Sequence, residues 1–456
     1  MNQKSKLTFG KIFERFSYGC GYFGCNIIYA AMSAFLLFYY TDYANVSAMA
    51  VGTIMMVSRI FDGVSDIIMG VIVDRTRSKY GKARPWILRM CIPFAVSGIL
   101  LFSVPASWAS TPKLVYVFIT YNLVSTVIYT AINVPYSALN ALMTQDPYER
   151  SVLSIFRNLL ATAGTLTINT FTLPLVEYFG NNAAAWTKTF VVFGFVAIAA
   201  FLCTFFGTKE RVRAAENEGE VQTEDVPFVT GIKALFKNKY WVIVTVASFV
   251  VFFVIIMYAM GNVYYCQYVL YDMGQYSWVS NSISIAQFAV MFVTPAFMKK
   301  FGKTAVYEAG MVVMGLGFLG FAVLGGSSTI VMIICNVLKG CGVGMAGGMA
   351  LGMVADTITY GTKKTGIDTV GLGNAGVSAA QKIGLGLGTA VFGWVLNGAG
   401  YDGSLDAQGI AQPESVSTAI NFLYNWLPFI MVIAIFVLMV ILYHCERDLK
   451  KMEAAE

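Results

Sequence analysis

Two aspartates spaced four residues apart in an otherwise apolar run hold the most chemistry in this sequence. The run reads SRIFDGVSD and brings Arg59, Asp62 and Asp66 within two turns of a helix. That spacing puts Asp62 and Asp66 on one face, where two carboxylates repel unless something positive intervenes. A bound Na⁺, or a proton on one carboxylate, relieves the repulsion. The plainer alternative is a structural ion pair between Arg59 and one aspartate, but a single arginine does not obviously serve both. A further isolated charge is Lys382, in SAAQKIGLGLG. A lysine removed from water loses its proton or finds a carboxylate, so Lys382 is expected to face the Asp62/Asp66 pair. Such a bridge would form and loosen with cation and substrate occupancy; a purely structural lysine is the alternative.

Neutral polar groups gather in two other runs. YTAINVPYSALNALM carries Tyr129, Thr130, Asn133 and Tyr136, and an earlier run carries Tyr22, Asn26 and Tyr29 at spacings compatible with one broad face. Amides and hydroxyls suit sugar hydroxyls, and aromatic faces suit the apolar side of a pyranose. Aromatic stripes usually just pack, so the asparagines are the more informative residues. Arg157 either reaches the same cavity or caps its cytoplasmic side.

The elements that position these residues are membrane helices. The chain has 456 residues, 57% hydrophobic and only 12% charged, with a mean hydropathy of +0.66. A water-soluble shell needs far more polar surface than that. With roughly 20 apolar residues needed per crossing, twelve spans are expected, near 16–40, 48–73, 86–105, 113–141, 152–177, 187–207, 239–266, 276–299, 304–324, 329–355, 370–396 and 416–443. The glycine-rich 370–396 is the least apolar in character. Alternate gaps hold nearly every loop lysine and arginine, beginning with Lys4, Lys6, Lys11 and Arg15, which places both termini in the cytoplasm. The longest polar segment, 208–238, divides the spans into halves at 1–207 and 239–443, with a tail at 444–456. A faint internal echo agrees: Tyr80-Gly81-Lys82 in one half and Phe301-Gly302-Lys303 in the other. The fold class is therefore all-α integral membrane, with the two six-helix halves of the major facilitator architecture.

Other chemistries are excluded or weak. The net charge of +6 sits in short gaps between apolar runs, which argues against a nucleic-acid partner. The eight cysteines are scattered without a CxxC pair, and His444 is the only histidine, so a histidine relay or His-based metal site is excluded. Gly371, Gly373 and Gly376 match GxGxxG, but no strand precedes them; helix packing or bending explains them, as it does Gly340 to Gly352. No catalytic triad or Walker motif is apparent, so no enzyme activity and no cofactor is expected.

Taken together, SRIFDGVSDIIMG (58–70), DRTRSKYGKARPW (74–86), NVPYSAL (133–139) and MVADTITYG (353–361) resemble the glycoside–pentoside–hexuronide:cation symporter family, along almost the whole chain. The family includes melibiose permease and bacterial glucuronide transporters. The resemblance implies that Asp62 and Asp66 bind Na⁺, Li⁺ or H⁺ with Thr130 nearby. It implies too that Lys382 stands close to both sites, and Arg157 matches the family's span-five arginine. Asp74, Arg75, Arg77, Lys82, Arg84 and Asp356 match the family's cytoplasmic gating motifs, although YGTKKTG departs from the usual acidic Y-G-E. Two further aspartates that grip galactosyl hydroxyls in melibiose permease are replaced by Asn26 and Asn133, and an associated tryptophan by Ser137. Galactosides are thereby disfavoured. Losing two carboxylates removes repulsion against a uronate, so a hexuronide is expected first and a pentoside or xyloside next.

The expectation is a symporter that couples glycoside uptake to a Na⁺ or H⁺ gradient, a monomer in the inner membrane whose partners are the sugar, a monovalent cation and lipid. Substrate contacts are expected from Asn26, Tyr29, Tyr129, Asn133, Tyr136, Arg157 and Lys382. A lysolipid transporter of related fold and a non-transporting sugar receptor are the rivals.

Overall fold

Long apolar stretches without water to bond their backbone must satisfy every N–H and C=O internally, and helices do so within one segment. The computed structural model describes residues 9–105, 107–212, 228–325, 328–407 and 410–455, and among them there is no strand. Lys4, Lys6 and residues 213–227 of the central polar segment lie outside the described residues, as does the side chain of Asp74.

The chain separates into two compact units, Met1–Glu218 with Asp402–Ile410, and Gly219–Tyr401 with Ala411–Glu456. The first unit contains α1 (Phe9–Ala34), α2 (Ala48–Arg75), α3 (Arg84–Leu101), α4 (Ser110–Met143), α5 (Pro147–Tyr178) and α6 (Ala183–Gly207). The second contains α7 (Phe228–Lys237), α8 (Lys239–Tyr268), α9 (Tyr276–Phe301), α10 (Lys303–Leu324), α11 (Thr329–Thr365), α12 (Val370–Gly398), α13 (Glu414–Asn421, a π turn Phe422–Trp426, then Leu427–Leu442) and α14 (Cys445–Ala455). The segment after α12 belongs with the first unit because Gly403, lacking a Cβ, lies directly against the backbone of Thr41 and Asp42.

Ten of the described helices are long and apolar enough to cross a bilayer, and an eleventh crossing follows if α1 and Leu36–Tyr43, bent by 53°, form one span. A further long helix is α2, whose 28 residues would reach about 42 Å at 1.5 Å per residue and which carries Arg59, Asp62 and Asp66 in mid-length.

In the first unit α1 packs on α5 and α6, α4 on α2 and α3, and α3 on α6. Close approach of α1 and α5 depends on small residues, as a Cβ at Gly164 would stand 2.9 Å from the Phe23 carbonyl. In the second unit α11 packs between α9 and α10, and α8 lies along α12. Of the expected packing glycines, Gly376 lies against Trp241, whereas Gly347 and Gly371 meet open space. Large apolar side chains that remain exposed, among them Phe195, Phe206, Leu351 and Ile441, are the surface that lipid would cover.

The aromatic-Gly-Lys echo has a structural counterpart in each unit. Gly81 has φ +104° and Gly302 has φ +85°, a region that favours glycine; Gly302 immediately precedes α10 and Gly81 lies three residues before α3. In the first unit the Glu210 carboxylate, just beyond α6, accepts the main-chain N–H groups of Lys82, Ala83 and Arg84 at 2.8, 2.9 and 2.9 Å. In the second, Glu446 beyond α13 accepts those of Lys303 and Thr304 at 3.0 and 3.2 Å. An acidic side chain at a helix N-terminus satisfies orphan donors and complements the positive end of the dipole.

Candidate functional site

The charged residues of α2 meet a row of polar residues on α4. Asn122 Nδ2 donates to Ser58 Oγ at 2.9 Å, Thr126 Oγ1 to Asp62 Oδ1 at 2.6 Å, and Thr130 Oγ1 to Asp66 Oδ1 at 3.1 Å. Each pair is separated by 64 positions in sequence, so two rows at four-residue spacing run in the same direction and match rung for rung. The spacing is the helical repeat of one face. Helix α4 is not regular here: Leu123–Tyr129 forms a π turn, and such bulges recur at functional sites because the widened turn re-aims side chains. It turns two consecutive hydroxyls to Asp62, with Ser125 Oγ at 3.4 Å from the same Oδ1. Ser65 donates to the Thr126 carbonyl within the bulge.

Asp62 is 5% exposed and receives Arg59 Nη1 at 3.2 Å on its other oxygen. The two aspartates therefore differ. Asp62 is charge-balanced by Arg59 and holds two hydroxyls, while Asp66 is half-buried and holds Thr130. The oxygen donors gathered here are hard ligands of the kind Na⁺ accepts.

Beside this ladder lies an aromatic group from α1, α4 and α5. The rings of Tyr29 and Tyr129 stand 5.7 Å apart. Tyr136 stacks between Tyr18 and Tyr22, at 5.0 and 5.7 Å, and the Arg157 guanidinium lies 4.2 Å over the Tyr22 ring. Arg157 Nε and Asn133 Oδ1 are buried atoms without a hydrogen-bond partner. Since nearly all buried polar atoms in native structures are paired, such orphans suit a ligand's donors and acceptors. Asn26 turns its Nδ2 back to the Tyr22 carbonyl at 2.9 Å, which leaves its oxygen as the atom to offer. Tyr136 is fully buried and its hydroxyl donates to the Tyr18 carbonyl at 2.8 Å, an arrangement that supports Tyr22 and Arg157 from behind. Lys382 lies half-buried on α12, in the second unit.

The motif residues split in the same way. Arg84 Nη2 donates to the Phe205 carbonyl at 2.6 Å and its guanidinium covers the Phe205 ring. Arg75 and Arg77 are exposed, and Lys82 engages Glu210 through its main chain. Asp356 receives both contacts from Lys303 Nζ, at 2.7 and 2.6 Å.

Reading α2 by itself missed Asn122, Ser125 and Thr126. The signal was available in the second row, since Asn122, Thr126 and Thr130 repeat at the spacing of Ser58, Asp62 and Asp66. Lys339, fully buried within α11, was also passed over, although a lone lysine in the expected span 329–355 was as notable as Lys382.

Comparison with known proteins places the chain in a family. A family model described as MFS/sugar transport protein matches residues 17–447. The isoprimeverose transporter of Lactiplantibacillus pentosus is 32% identical over 91% of this chain and 85% of its own. A putative glycoside/cation symporter, YagG of Escherichia coli strain K12, is 28% identical over 93% of this chain and 90% of its own. Among solved structures, a D-xylose-proton symporter superposes with a TM-score of 0.66 at 14% identity, over 94% of this chain and 96% of its own, a likeness of fold. The family model and the relatives give the expected glycoside–pentoside–hexuronide resemblance and a membrane transporter rather than an enzyme: the chain belongs to the MFS/sugar transport protein family.

Proposed function

We propose that this protein is a cation-coupled glycoside symporter whose coupling ion, Na⁺ or H⁺, is bound at Asp66, beside an Asp62 that pairs with Arg59 and receives Thr126 and Ser125. The observation that carries the reading is the ladder itself, in which Asp62 receives Arg59 and Thr126 and, one turn on along the same face, Asp66 receives Thr130. Thr130 completes the cation group. Cation and sugar then raise each other's affinity by the same factor, as linkage requires.

For the sugar, Asn133 Oδ1 calls for a hydroxyl donor, and Tyr29 and Tyr129 supply faces for a pyranose. Asn26 and Arg157 complete the contact set, with Tyr136 in support. The 32% relative is named for isoprimeverose, a neutral disaccharide, and an orphan acceptor is better matched by a hydroxyl than by a carboxylate. A pentose-containing neutral glycoside is therefore placed first and a hexuronide second, the reverse of the order that charge alone suggests. Arg157, whose Nε is unpartnered, is what favours the second. The membrane is the cell's inner membrane, with both termini in the cytoplasm. The protein acts as a monomer amid lipid.

The test is uptake of radiolabelled isoprimeverose, a xyloside and a glucuronide into proteoliposomes with imposed Na⁺ or H⁺ gradients. Asp66→Asn is expected to abolish accumulation while leaving sugar exchange measurable. Uphill accumulation unchanged in that variant would remove the coupling assignment, and accumulation of the glucuronide alone would reverse the order of substrates.

A further inference from the structure

Helix α11 carries three lysines, of which Lys363 and Lys364 close its last turn. The third, Lys339, lies well inside the helix and has no exposed surface. Its Nζ is 3.3 Å from Asn425 Oδ1 and lies over three rings, with centroids at 4.0 Å for Phe321, 4.4 Å for Tyr424 and 4.7 Å for Phe318. Among the described residues no carboxylate forms an ion pair with it.

The surroundings are built around this side chain. Gly317 on α10 lies against the Lys339 backbone N and Cγ, where a Cβ would stand 2.7 and 2.9 Å away. From α13, Tyr424 and Asn425 are consecutive residues, and the π turn Phe422–Trp426 turns both toward the same nitrogen. Asn425 Nδ2 in turn donates to Asn421 Oδ1 at 2.8 Å. From α8, Asn262 accepts the Tyr424 hydroxyl, and the Tyr265 ring stands 5.1 Å from Tyr424 and 5.3 Å from Phe321. The titratable side chains around the lysine are thus Tyr424 on α13, Tyr265 on α8 and Cys335 on its own helix. None carries a charge in its protonated form, and α10 offers only Phe318 and Phe321.

Two opposing forces meet on this nitrogen. Three ring faces and an amide oxygen attract an ammonium, whereas exclusion from water favours the neutral amine. With no carboxylate to decide between them, the proton on Lys339 is the cluster's whole charge. Its loss removes the ring attraction and weakens the pull on Asn425, the residue that anchors the widened turn.

We propose that Lys339 is a proton-exchanging site of the second unit, and that its ammonium form holds the π turn of α13 while the amine releases it. Bulk water is the source and sink of the proton. The site concerns neither the sugar nor the ion at Asp66, so its test is made without either. Hydrogen–deuterium exchange of the purified protein is followed by mass spectrometry from about pH 6 to about pH 10, with labelling times scaled for the intrinsic pH dependence of exchange. In the wild type, peptides covering 416–430 are expected to take up about twofold more deuterium across a single step as pH rises. Lys339→Arg keeps a cation over the whole range and is expected to stay at the low level. Lys339→Met fills the cage without charge and is expected to stay at the high level. Asp66→Asn should retain the wild-type step. A flat wild-type profile overturns the proposal, and so does a step that persists in Lys339→Arg, the variant that suffices if Lys339→Met does not fold.

Discussion

Asn133→Leu separates a binding role from a packing role, because the two move different quantities in opposite directions. Leucine has nearly the shape of asparagine, so the substitution removes polarity with little change in volume. Asn133 Oδ1 is buried without a partner, and an unsatisfied polar atom costs about 1–3 kcal/mol. The sugar-free protein should therefore gain about that amount and unfold at higher temperature, by about 2 °C or more. A sugar hydroxyl that donates to Oδ1 contributes a net of about 1 kcal/mol, so its loss should weaken sugar binding about fivefold. Differential scanning fluorimetry of the purified transporter without sugar reads the first effect, and isothermal titration with isoprimeverose reads the second. A variant that is more stable but binds sugar with wild-type affinity would refute the substrate contact. One that is less stable without sugar would show that the oxygen has a partner, and the orphan argument would fall.

Arg59→Met leaves Asp62 as a buried carboxylate without its cation, and breaking such a pair costs about 3–5 kcal/mol; yield of folded protein by size-exclusion chromatography should collapse, whereas Arg59→Lys should recover part of it. Thr126→Val removes the 2.6 Å bond to Asp62, a charge-assisted interaction of about 1.5–3 kcal/mol, and should lower thermal stability more than Ser125→Ala, whose contact is 3.4 Å. Glu446→Gln keeps the shape of the α10 cap but loses its charge, and should destabilise by about 0.5–1 kcal/mol, a cost that high salt reduces in the wild type by comparable denaturation. Gly81→Ala places a Cβ against the Glu210 carboxylate at a φ of +104°, so it should be more harmful than Gly371→Ala, which meets open space; parallel melting curves decide.

Hydropathy makes the helices legible because each must satisfy its backbone alone, and the expected spans fall on the described helices to within a few residues. Where boundaries differ, polar chemistry intervenes: α11 runs on to Thr365 and stops at Gly366 with φ +70°, ten residues beyond its apolar stretch, because helix persists after hydrophobicity ends. The pair Asp62 and Asp66 was legible as a charged face, but its asymmetry was not. Which aspartate Arg59 serves depends on a rotamer, and which hydroxyls approach depends on how α4 is set against α2, information that no single helix contains. The π turn in α4 was invisible for a related reason, since a bulge is chosen by tertiary partners rather than by local propensity. Tyr136 looked like a sugar contact and is instead fully enclosed, because aromatic spacing records a face without saying what covers it.

The ladder between α2 and α4 also constrains motion. A slide of one residue between the two helices would break all three rungs at once. A slide of four residues, about 6 Å, would re-form two of them, pairing Ser58 with Thr126 and Asp62 with Thr130, or the reverse sense. Between those positions the matched pairs are lost in a setting where lost hydrogen bonds have no water to replace them. The rungs therefore act as a detent. Rearrangement during transport must either carry α2 and α4 together as one piece or move them by a whole notch, and Asp66, the proposed cation site, sits at the last tooth.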